Sequence, residues 1–228
     1  MGAVRWIASE LATPASCPLR SATLRKWPEP VPVQLPNSLS WATPTDSILL
    51  RICSTAFAAS EPSFRATGAG RFDDSQKIFT TLYCAADFET CYSETLLREG
   101  TFHAANGRYE VSQAIHDSRS LTVIAVDLLK LRLVDLHGVG IRKMGLDAGV
   151  GLGQYDGTQP LARALYEHAD KPDGIVYASR LSPGRPAIVF FDRAQPHVRL
   201  FPGLAPTPLP QLREAFDALT QSHSIALI

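Results

Sequence analysis

Five polar and aromatic residues at the ends of predicted strands have side chains that could do chemistry together. They are Arg51 in "LLRIC", Arg71 in "AGRFDD", Tyr83 in "TLYCA", Glu94 in "YSETL" and Ser179 in "GIVYASR". Guanidinium groups offer permanently charged paired donors to phosphates, and a carboxylate stabilises positive charge that develops on a sugar during glycosidic cleavage. Each residue also has an ordinary structural explanation, such as a buried ion pair, a solvated helix face, a core ring or a turn. Residue types and spacing alone do not decide between the two.

Several other chemistries lack the motifs that they require. The glycine-rich "GVGLGQYDG" (149–157) does not follow the G-x-G-x-x-G spacing, and no strand directly precedes it. The histidines form no H-E-x-x-H and the serines no G-x-S-x-G. The four cysteines (Cys17, Cys53, Cys84 and Cys91) include no C-x-x-C pair, so we expect free, mostly buried thiols and no metal site.

The overall charge and hydropathy also restrict the class of partner. The chain carries 22 basic and 22 acidic residues, whereas proteins that bind nucleic acid usually carry a basic surplus. We therefore expect no direct nucleic-acid binding. No run approaches the roughly 18 apolar residues of a membrane span. Arg5 and Glu10 interrupt what would be the core of an export signal. These features predict a soluble protein that acts in the cytoplasm.

The chain divides by composition into an arm and a globular part. Seven of the 17 prolines lie in residues 1–45, a density that prevents regular helix or central strand. We predict an extended arm over 1–45, laid on the domain through Trp27 and Trp41, and a globular domain over 46–228.

Short strands alternate with a few helices in the globular part. "DFETCYSETLLREG" predicts a helix capped by Asp87 and stopped by Gly100, and "TQPLARALYEH" predicts another, with Thr158 as its cap. Alternation over "LTVIAVDLLKLRLVDL" (121–136), notably at Leu129, Leu131 and Leu133, predicts strands. Further strands are expected at "GIVYASR", "PAIVFFD" and "VRLF", followed by a last helix and an edge strand in "SIALI". This order indicates an α+β fold with a mixed or antiparallel β core and flanking helices.

These stretches, taken in order, resemble the RES domain, which is named for its arginine, glutamate and serine. The resemblance runs through "LLRIC", "GAGRFDD", "TLYCAADFETCYSETL", "YDGTQPLARALYEHADKPDGIVYASR" and "AIVFFDR", over roughly residues 48–193. One common family form follows Gly-Arg with Trp-Asn and a Pro-x-Gly turn, whereas Phe72, Asp73 and Asp74 stand here. The departure leaves Arg71 intact but puts the local loop in doubt.

The resemblance implies a fold like that of ADP-ribosyltransferases and a bacterial toxin that consumes NAD+ by hydrolysis, phosphorolysis or transfer of ADP-ribose. By position, Arg51 and Arg71 would hold the phosphates of NAD+, and Tyr83 would pack on the nicotinamide side. Glu94 would act on the ribose, and Ser179 would complete the cleft. NAD+ would be the substrate, so no resident cofactor is expected.

Two other functional classes stay open at this point. One is a transferase that modifies a specific protein with ADP-ribose, and the other is a non-catalytic NAD-binding or protein-interaction module. The resemblance also implies a partner that occludes the cleft, namely an Xre-like, DNA-binding antitoxin. If the protein is instead delivered into rival cells, the partner would be an immunity protein.

Overall fold

The computed structural model describes residues 35–146, 150, 155–182 and 184–228. The strands are β1 (Ile48–Ser54), β2 (Thr81–Ala85), β3 (Thr101–His103), β4 (Arg108–Val111), β5 (Arg119–Val126), β6 (Leu133–Leu136), β7 (Gly174–Ala178), β8 (Pro186–Phe191), β9 (Val198–Leu200), β10 (Thr207–Pro208) and β11 (Ile225–Leu227). The helices are α1 (Phe88–Tyr92), α2 (Gln113–Asp117), α3 (Val139–Lys143), α4 (Tyr155–Glu167) and α5 (Arg213–His223). Within these residues the predicted α+β class is confirmed.

The main sheet is mixed, with strand order β10–β5–β1–β2–β8–β7–β6 and β9 added to β5. β6 and β7 are parallel, while the other pairs in this sheet are antiparallel. β1 follows β5 along its whole length but shares with β2 only the pair Leu50–Ala85. A smaller sheet has the order β11–β4–β3, and β11 is the edge strand predicted from "SIALI".

Hydrophobic clusters cover both faces of the main sheet. α4 packs Leu161 and Leu165 on one face, in a cluster with Tyr177 and Val189 of the sheet. The other face carries a separate cluster that includes Leu49, Leu82, Cys84, Ile124, Ile188 and Phe190. A third cluster joins α1 and α5 around Tyr92, Leu96 and Leu219. The site residues described below lie mainly on the α4 face.

The described end of the predicted arm, residues 35–45, packs on the domain. Ala42 N donates to Leu133 O at 2.8 Å and Asp135 N donates to Ser40 O at 2.7 Å, so this segment pairs with the free edge of β6. Trp41 forms a bridge to Val134, which agrees with the contact expected of Trp41. Residues 1–34, including Trp27, lie outside the described residues, and the boundary at residue 45 stays a prediction.

Sequence patterns predicted one helix cap correctly but were wrong about a second cap and about one strand. Asp87 caps α1 as predicted, since its carboxylate accepts from Thr90 N at 2.8 Å. Thr158 is not a cap, because α4 begins at Tyr155 and Thr158 is buried inside it. The alternation at 129–133 was also misleading. Leu128–Lys130 is a 3-10 turn, and Leu129 is 96% exposed because this turn projects between β5 and β6.

The thiol prediction is confirmed for Cys53, Cys84 and Cys91, which are free and buried. Cys17 lies outside the described residues. Among the helices of the described ranges, none combines the length and the apolar character that crossing a membrane requires.

Candidate active site

Glu94 lies on an irregular turn that directly continues α1. Residues Ser93–Leu97 form a π-helical turn, a feature that occurs often at functional sites because it re-aims side chains. Arg185 fixes the beginning of α1 through ion pairs with Asp87 at 3.2 Å and Glu89 at 3.1 Å. The capped start and the π turn together determine where the Glu94 carboxylate points.

Three donors from the end of β7 and the residues after it hold the Glu94 carboxylate. Ser179 Oγ donates to Oε1 at 2.7 Å and Arg180 N donates to the same oxygen at 3.1 Å. Tyr177 OH donates to Oε2 at the longer distance of 3.4 Å. The structure therefore brings together Glu94 and Ser179, two of the residues that the sequence analysis identified.

A chain of buried serines anchors this arrangement. Ser182 N donates to Ser179 Oγ at 3.1 Å, and Ser182 Oγ donates to Ser93 Oγ at 2.9 Å. All three serines are buried, so these hydrogen bonds are shielded from competing water. They tie the loop after β7 to the turn that carries Glu94.

Arg71 brings a buried positive charge to the same region. Its side chain is almost fully buried, and among the described residues its Nη1 has no hydrogen-bond partner. Its guanidinium carbon lies 5.9 Å from the centre of the Tyr177 ring, and Tyr177 is the residue that contacts Glu94. A buried donor without a partner is costly unless a ligand satisfies it. This arrangement therefore indicates an anion site beside the carboxylate.

Tyr177 lies between these two charged groups and stays protonated. Burial, and then the negative charge of Glu94, raise the pKa of Tyr177 well above its ordinary value. Its hydroxyl is therefore a hydrogen-bond donor at physiological pH. Tyr177 was not foreseen from the sequence, but a signal for it existed. Residues two apart on a strand point to the same face, and Tyr177 lies two residues before Ser179.

Asp73, two residues after Arg71, ties the loop that carries Arg71 to β2. This buried carboxylate accepts hydrogen bonds from Thr67 Oγ1, from Gly70 N at 3.0 Å, from Thr81 Oγ1 at 2.6 Å and from Tyr83 OH at 3.0 Å. Burial alone would raise the pKa of Asp73, but these donors outweigh it and lower that pKa. Asp73 is therefore ionised at neutral pH.

α4 closes the same loop from the other side. Thr158 Oγ1 donates to Arg71 O at 2.6 Å, and Gln159 Nε2 donates to the carbonyls of Gly68 and Gly70 at 2.9 and 3.0 Å. Phe72, which follows Arg71, is fully buried and lies 4.8 Å from the Tyr177 ring between ring centres. The residues that depart from the common family form, Phe72, Asp73 and Asp74, are buried and thus lie in an ordered, well-packed loop.

Tyr83 lies beside Arg71, but its hydroxyl is used within the protein. It donates to Asp73 and accepts from Phe72 N at 2.9 Å. Burial, followed by the charge of Asp73, raises the pKa of Tyr83 well above its ordinary value, so it remains a donor. The structure thus brings Tyr83 to the Arg71 loop, and its contact with nicotinamide stays a prediction.

The structure does not bring Arg51 to Glu94. Leu50 and Ala85 are ladder partners on one face, so the alternation of side chains directs Arg51 to the face of Cys84, opposite Tyr83. Arg51 Nε donates to Glu61 Oε2 at 2.9 Å, and Nη1 donates to Tyr83 O at 3.1 Å. Arg51 fills the gap where β1 and β2 separate, and its contact with phosphate stays a prediction.

Comparisons with known proteins identify the family of this chain. The family model of the RES domain matches residues 48–211. Over 100 residues the chain is 33% identical to the "Probable toxin y4kH" of Sinorhizobium fredii, a match that covers 43% of this chain and 75% of that protein.

A solved structure gives the same fold. It is a chain from the crystal structure of the M. tuberculosis MbcT-MbcA toxin-antitoxin complex, with a TM-score of 0.55 and 18% identity, over 77% of this chain and 91% of that one. At this identity the likeness supports the architecture alone. The family match spans more than half of the sequence and includes every residue of the site just described. The chain therefore belongs to the RES domain family.

Proposed function

We propose that the protein is a bacterial toxin that cleaves NAD+ at the bond between nicotinamide and ribose. The observation that carries this proposal is the pairing of a buried Arg71 donor, which has no partner in the part of the chain that the structure describes, with the anchored Glu94 carboxylate. Tyr177 joins the two. NAD+ presents the two matching features, a pyrophosphate anion and a ribose that becomes positively charged on cleavage. The similarity to a probable toxin and to a chain of a toxin–antitoxin complex supports the biological role.

In the reaction the C–N bond breaks and its electron pair leaves with the nicotinamide nitrogen, which becomes neutral. Water then adds to the ribose carbon and loses a proton, which gives ADP-ribose and nicotinamide. Phosphate or a protein side chain could replace water as the acceptor, and these alternatives give ADP-ribose 1″-phosphate or a modified protein. The bond that breaks is the same in all three reactions.

Glu94 would stabilise the positive charge of the ribose during this step. Ser179 Oγ and Arg180 N hold Oε1 on one side of the carboxylate, so the group needs little reorganisation when charge develops. Fixed electrostatic groups of this kind typically contribute about 3–4 kcal/mol, which corresponds to roughly a hundredfold to a thousandfold in rate.

Arg71 would hold the pyrophosphate, because its buried Nη1 has no partner within the described ranges and a guanidinium donor of this kind binds a phosphate oxygen strongly. A site of this kind does not need a basic protein, which is consistent with the net charge of zero. Phosphate binding by Arg51 remains part of the proposal. Nicotinamide packing by Tyr83, which the family resemblance implies, is the alternative to the role in the loop that its hydrogen bonds indicate.

We also propose a cognate partner that covers the site until the toxin is needed. The similar chain was crystallised in a toxin–antitoxin complex, which supports an antitoxin rather than a freely active enzyme. An Xre-like, DNA-binding antitoxin is the expected partner, and the site of action would be the cytoplasm, where NAD+ is abundant.

Incubation of the purified protein with NAD+ tests the reaction, with free nicotinamide as the readout. Glu94→Gln keeps the shape of the side chain but removes its charge, and we expect nicotinamide release to fall at least about a hundredfold. Glu99→Gln is the matched control, because Glu99 lies five residues on and its side chain is 47% exposed. Among the described residues its carboxylate forms an ion pair only with Arg98, at 3.6 Å. No nicotinamide release by wild type, or equal activity in both variants, refutes the proposal.

The same incubation identifies the acceptor. Reactions with and without phosphate, and with NAD+ labelled in the adenosine, separate ADP-ribose, its phosphate ester and a labelled polypeptide. Growth arrest on expression, relieved by Glu94→Gln, would connect the chemistry to toxicity.

A further inference from the structure

Asp73 occupies the centre of the loop that presents Arg71. Its side chain is almost fully buried, and each carboxylate oxygen accepts two hydrogen bonds. Oδ1 accepts from Thr81 Oγ1 and Tyr83 OH, while Oδ2 accepts from Thr67 Oγ1 and Gly70 N. Because every donor comes from the loop or from β2, Asp73 determines how the loop lies against the sheet.

The close packing around Gly70 shows how tightly this loop is drawn in. A Cβ at Gly70 would lie 2.6 Å from Asp73 Oδ1 and 2.6 Å from the Tyr83 hydroxyl oxygen, which is closer than real Cβ contacts come. A side chain immediately before Arg71 would therefore have to displace the Asp73 carboxylate and the Tyr83 hydroxyl. The backbone on the other side of Arg71 is also held, because Phe72 N donates to the Tyr83 hydroxyl.

We propose that Asp73 is the positioning residue that keeps Arg71 in its anion-binding place, and that Tyr83 acts on the substrate through this loop rather than by stacking on nicotinamide. The inference rests on the proposed function, because it explains how the substrate-binding arginine is held. The Tyr83 hydroxyl donates to Asp73 and accepts from Phe72 N, so its hydrogen bonds go to the loop.

Asp73→Asn is a sharp test, because the shape is kept while one accepting oxygen becomes a donor. In one orientation the new amide nitrogen faces Gly70 N, which cannot accept a hydrogen bond. In the other orientation it faces the hydroxyls of Thr81 and Tyr83, and the Tyr83 hydroxyl already accepts from Phe72 N. We expect the KM for NAD+ to rise about tenfold with kcat within about threefold of wild type, because hydrogen bonds to charged groups have this strength.

Tyr83→Phe separates the two roles of Tyr83. If the ring stacks on nicotinamide, the variant keeps its aromatic face, and the KM for NAD+ stays near the wild-type value. If the hydroxyl holds the loop, the KM rises by a factor similar to that of Asp73→Asn. The KM of the double variant Asp73→Asn/Tyr83→Phe should then lie within about twofold of the higher of the two single-variant KM values, because both changes break one network.

ADP-ribose, which carries the same pyrophosphate but no nicotinamide, gives a second readout by calorimetry. We expect both variants to bind it about tenfold more weakly than wild type, since the loss concerns Arg71 and not the nicotinamide contact. Val198→Ala, buried on the opposite face of the sheet, controls for general destabilisation and should bind ADP-ribose like wild type. Thermal unfolding of each variant reports whether it folds.

If Asp73→Asn does not fold, Thr81→Val takes its place, with Thr81→Ser as the control that keeps the hydroxyl donor. Wild-type affinity for ADP-ribose in both Asp73→Asn and Tyr83→Phe overturns the inference and leaves the proposed function standing. A wild-type protein that neither binds ADP-ribose nor releases nicotinamide overturns the proposed function, and the inference with it.

Discussion

Removing Arg51 should destabilise the protein far more than removing an ordinary surface arginine. Glu61, its partner, has a fully buried side chain, whereas Arg51 is 16% exposed. Glu61 Oε2 accepts from Arg51 Nε at 2.9 Å and from Ser63 N at 2.7 Å, while Oε1 has no partner among the described residues. Arg51→Met would leave this carboxylate buried without the one ion pair that the described residues give it.

The expected size follows from that burial. Breaking a buried ion pair from one side typically costs about 3–5 kcal/mol, a large part of the roughly 5–15 kcal/mol that stabilises a domain. For a chain of this length the loss corresponds to a fall in Tm of about 6–20 °C. Glu61→Leu should cost less, because the remaining guanidinium can reach water and the remaining carboxylate cannot.

The double variant Arg51→Met/Glu61→Leu should recover most of the loss, because neither charge is then left unbalanced. A residual cost of about 1–2 kcal/mol is expected, since the carbonyl of Tyr83 and the amide of Ser63 lose their partners. Unfolding in guanidinium chloride of wild type, the two single variants and the double variant gives the four free energies of unfolding. An Arg51→Met variant within about 1 kcal/mol of wild type, or a double variant as unstable as the single one, refutes this reasoning.

The same double variant decides whether Arg51 also binds phosphate. Because it should fold, its affinity for ADP-ribose can be measured without the confounding loss of structure. Affinity near that of wild type would assign Arg51 to the framework, where it fills the gap between β1 and β2. A loss of about tenfold or more would support the contact with phosphate that the family resemblance implies.

Three shorter predictions concern other parts of the molecule. Ser179→Ala should lower the rate of nicotinamide release about tenfold with little change in KM, because Glu94 loses its 2.7 Å hydrogen bond; an unchanged rate in a folded variant contradicts this role. Burial lowers the pKa of His116 below its ordinary 6.5, so this side chain binds a proton more readily in the unfolded chain than in the folded protein. The free energy of unfolding should therefore fall as the pH drops below about 6.5, and guanidinium titrations of His116→Gln should show a weaker dependence. Burial raises the pKa of Cys53 to about 11, so alkylation mapped by mass spectrometry at about pH 8 should leave Cys53 unmodified until the protein unfolds.

The elements whose ends depend on neighbouring residues could be predicted from the sequence. Asp87 caps the helix that it was expected to cap, because the hydrogen bond to Thr90 N needs only three residues of chain. The strands "GIVYASR" and "PAIVFFD" were found from their composition, and they form β7 and β8. The turn at Leu129 was missed because alternation over the five residues 129–133 does not distinguish a strand from a turn between strands.

The candidate site was only partly predictable. Arg71, Glu94 and Ser179 were identified through a family resemblance, and the structure places their side chains along a path that passes through Tyr177. The partner of Arg51 was not foreseen, because Glu61 is ten residues away in a loop that no periodic pattern describes.

The residues that hold the site together are the ones that pattern reasoning had least chance of finding. Asp73 lies where the sequence departs from the common family form, and its partners Thr67, Thr81 and Tyr83 become neighbours only when the loop folds back onto β2. A search by residue type alone would read Asp73 as an exposed loop carboxylate. The four donors around Asp73 explain how that charge can be buried. On the proposal above, Arg71 binds the substrate and its placement depends on Asp73, a neighbouring acid that need not contact the substrate.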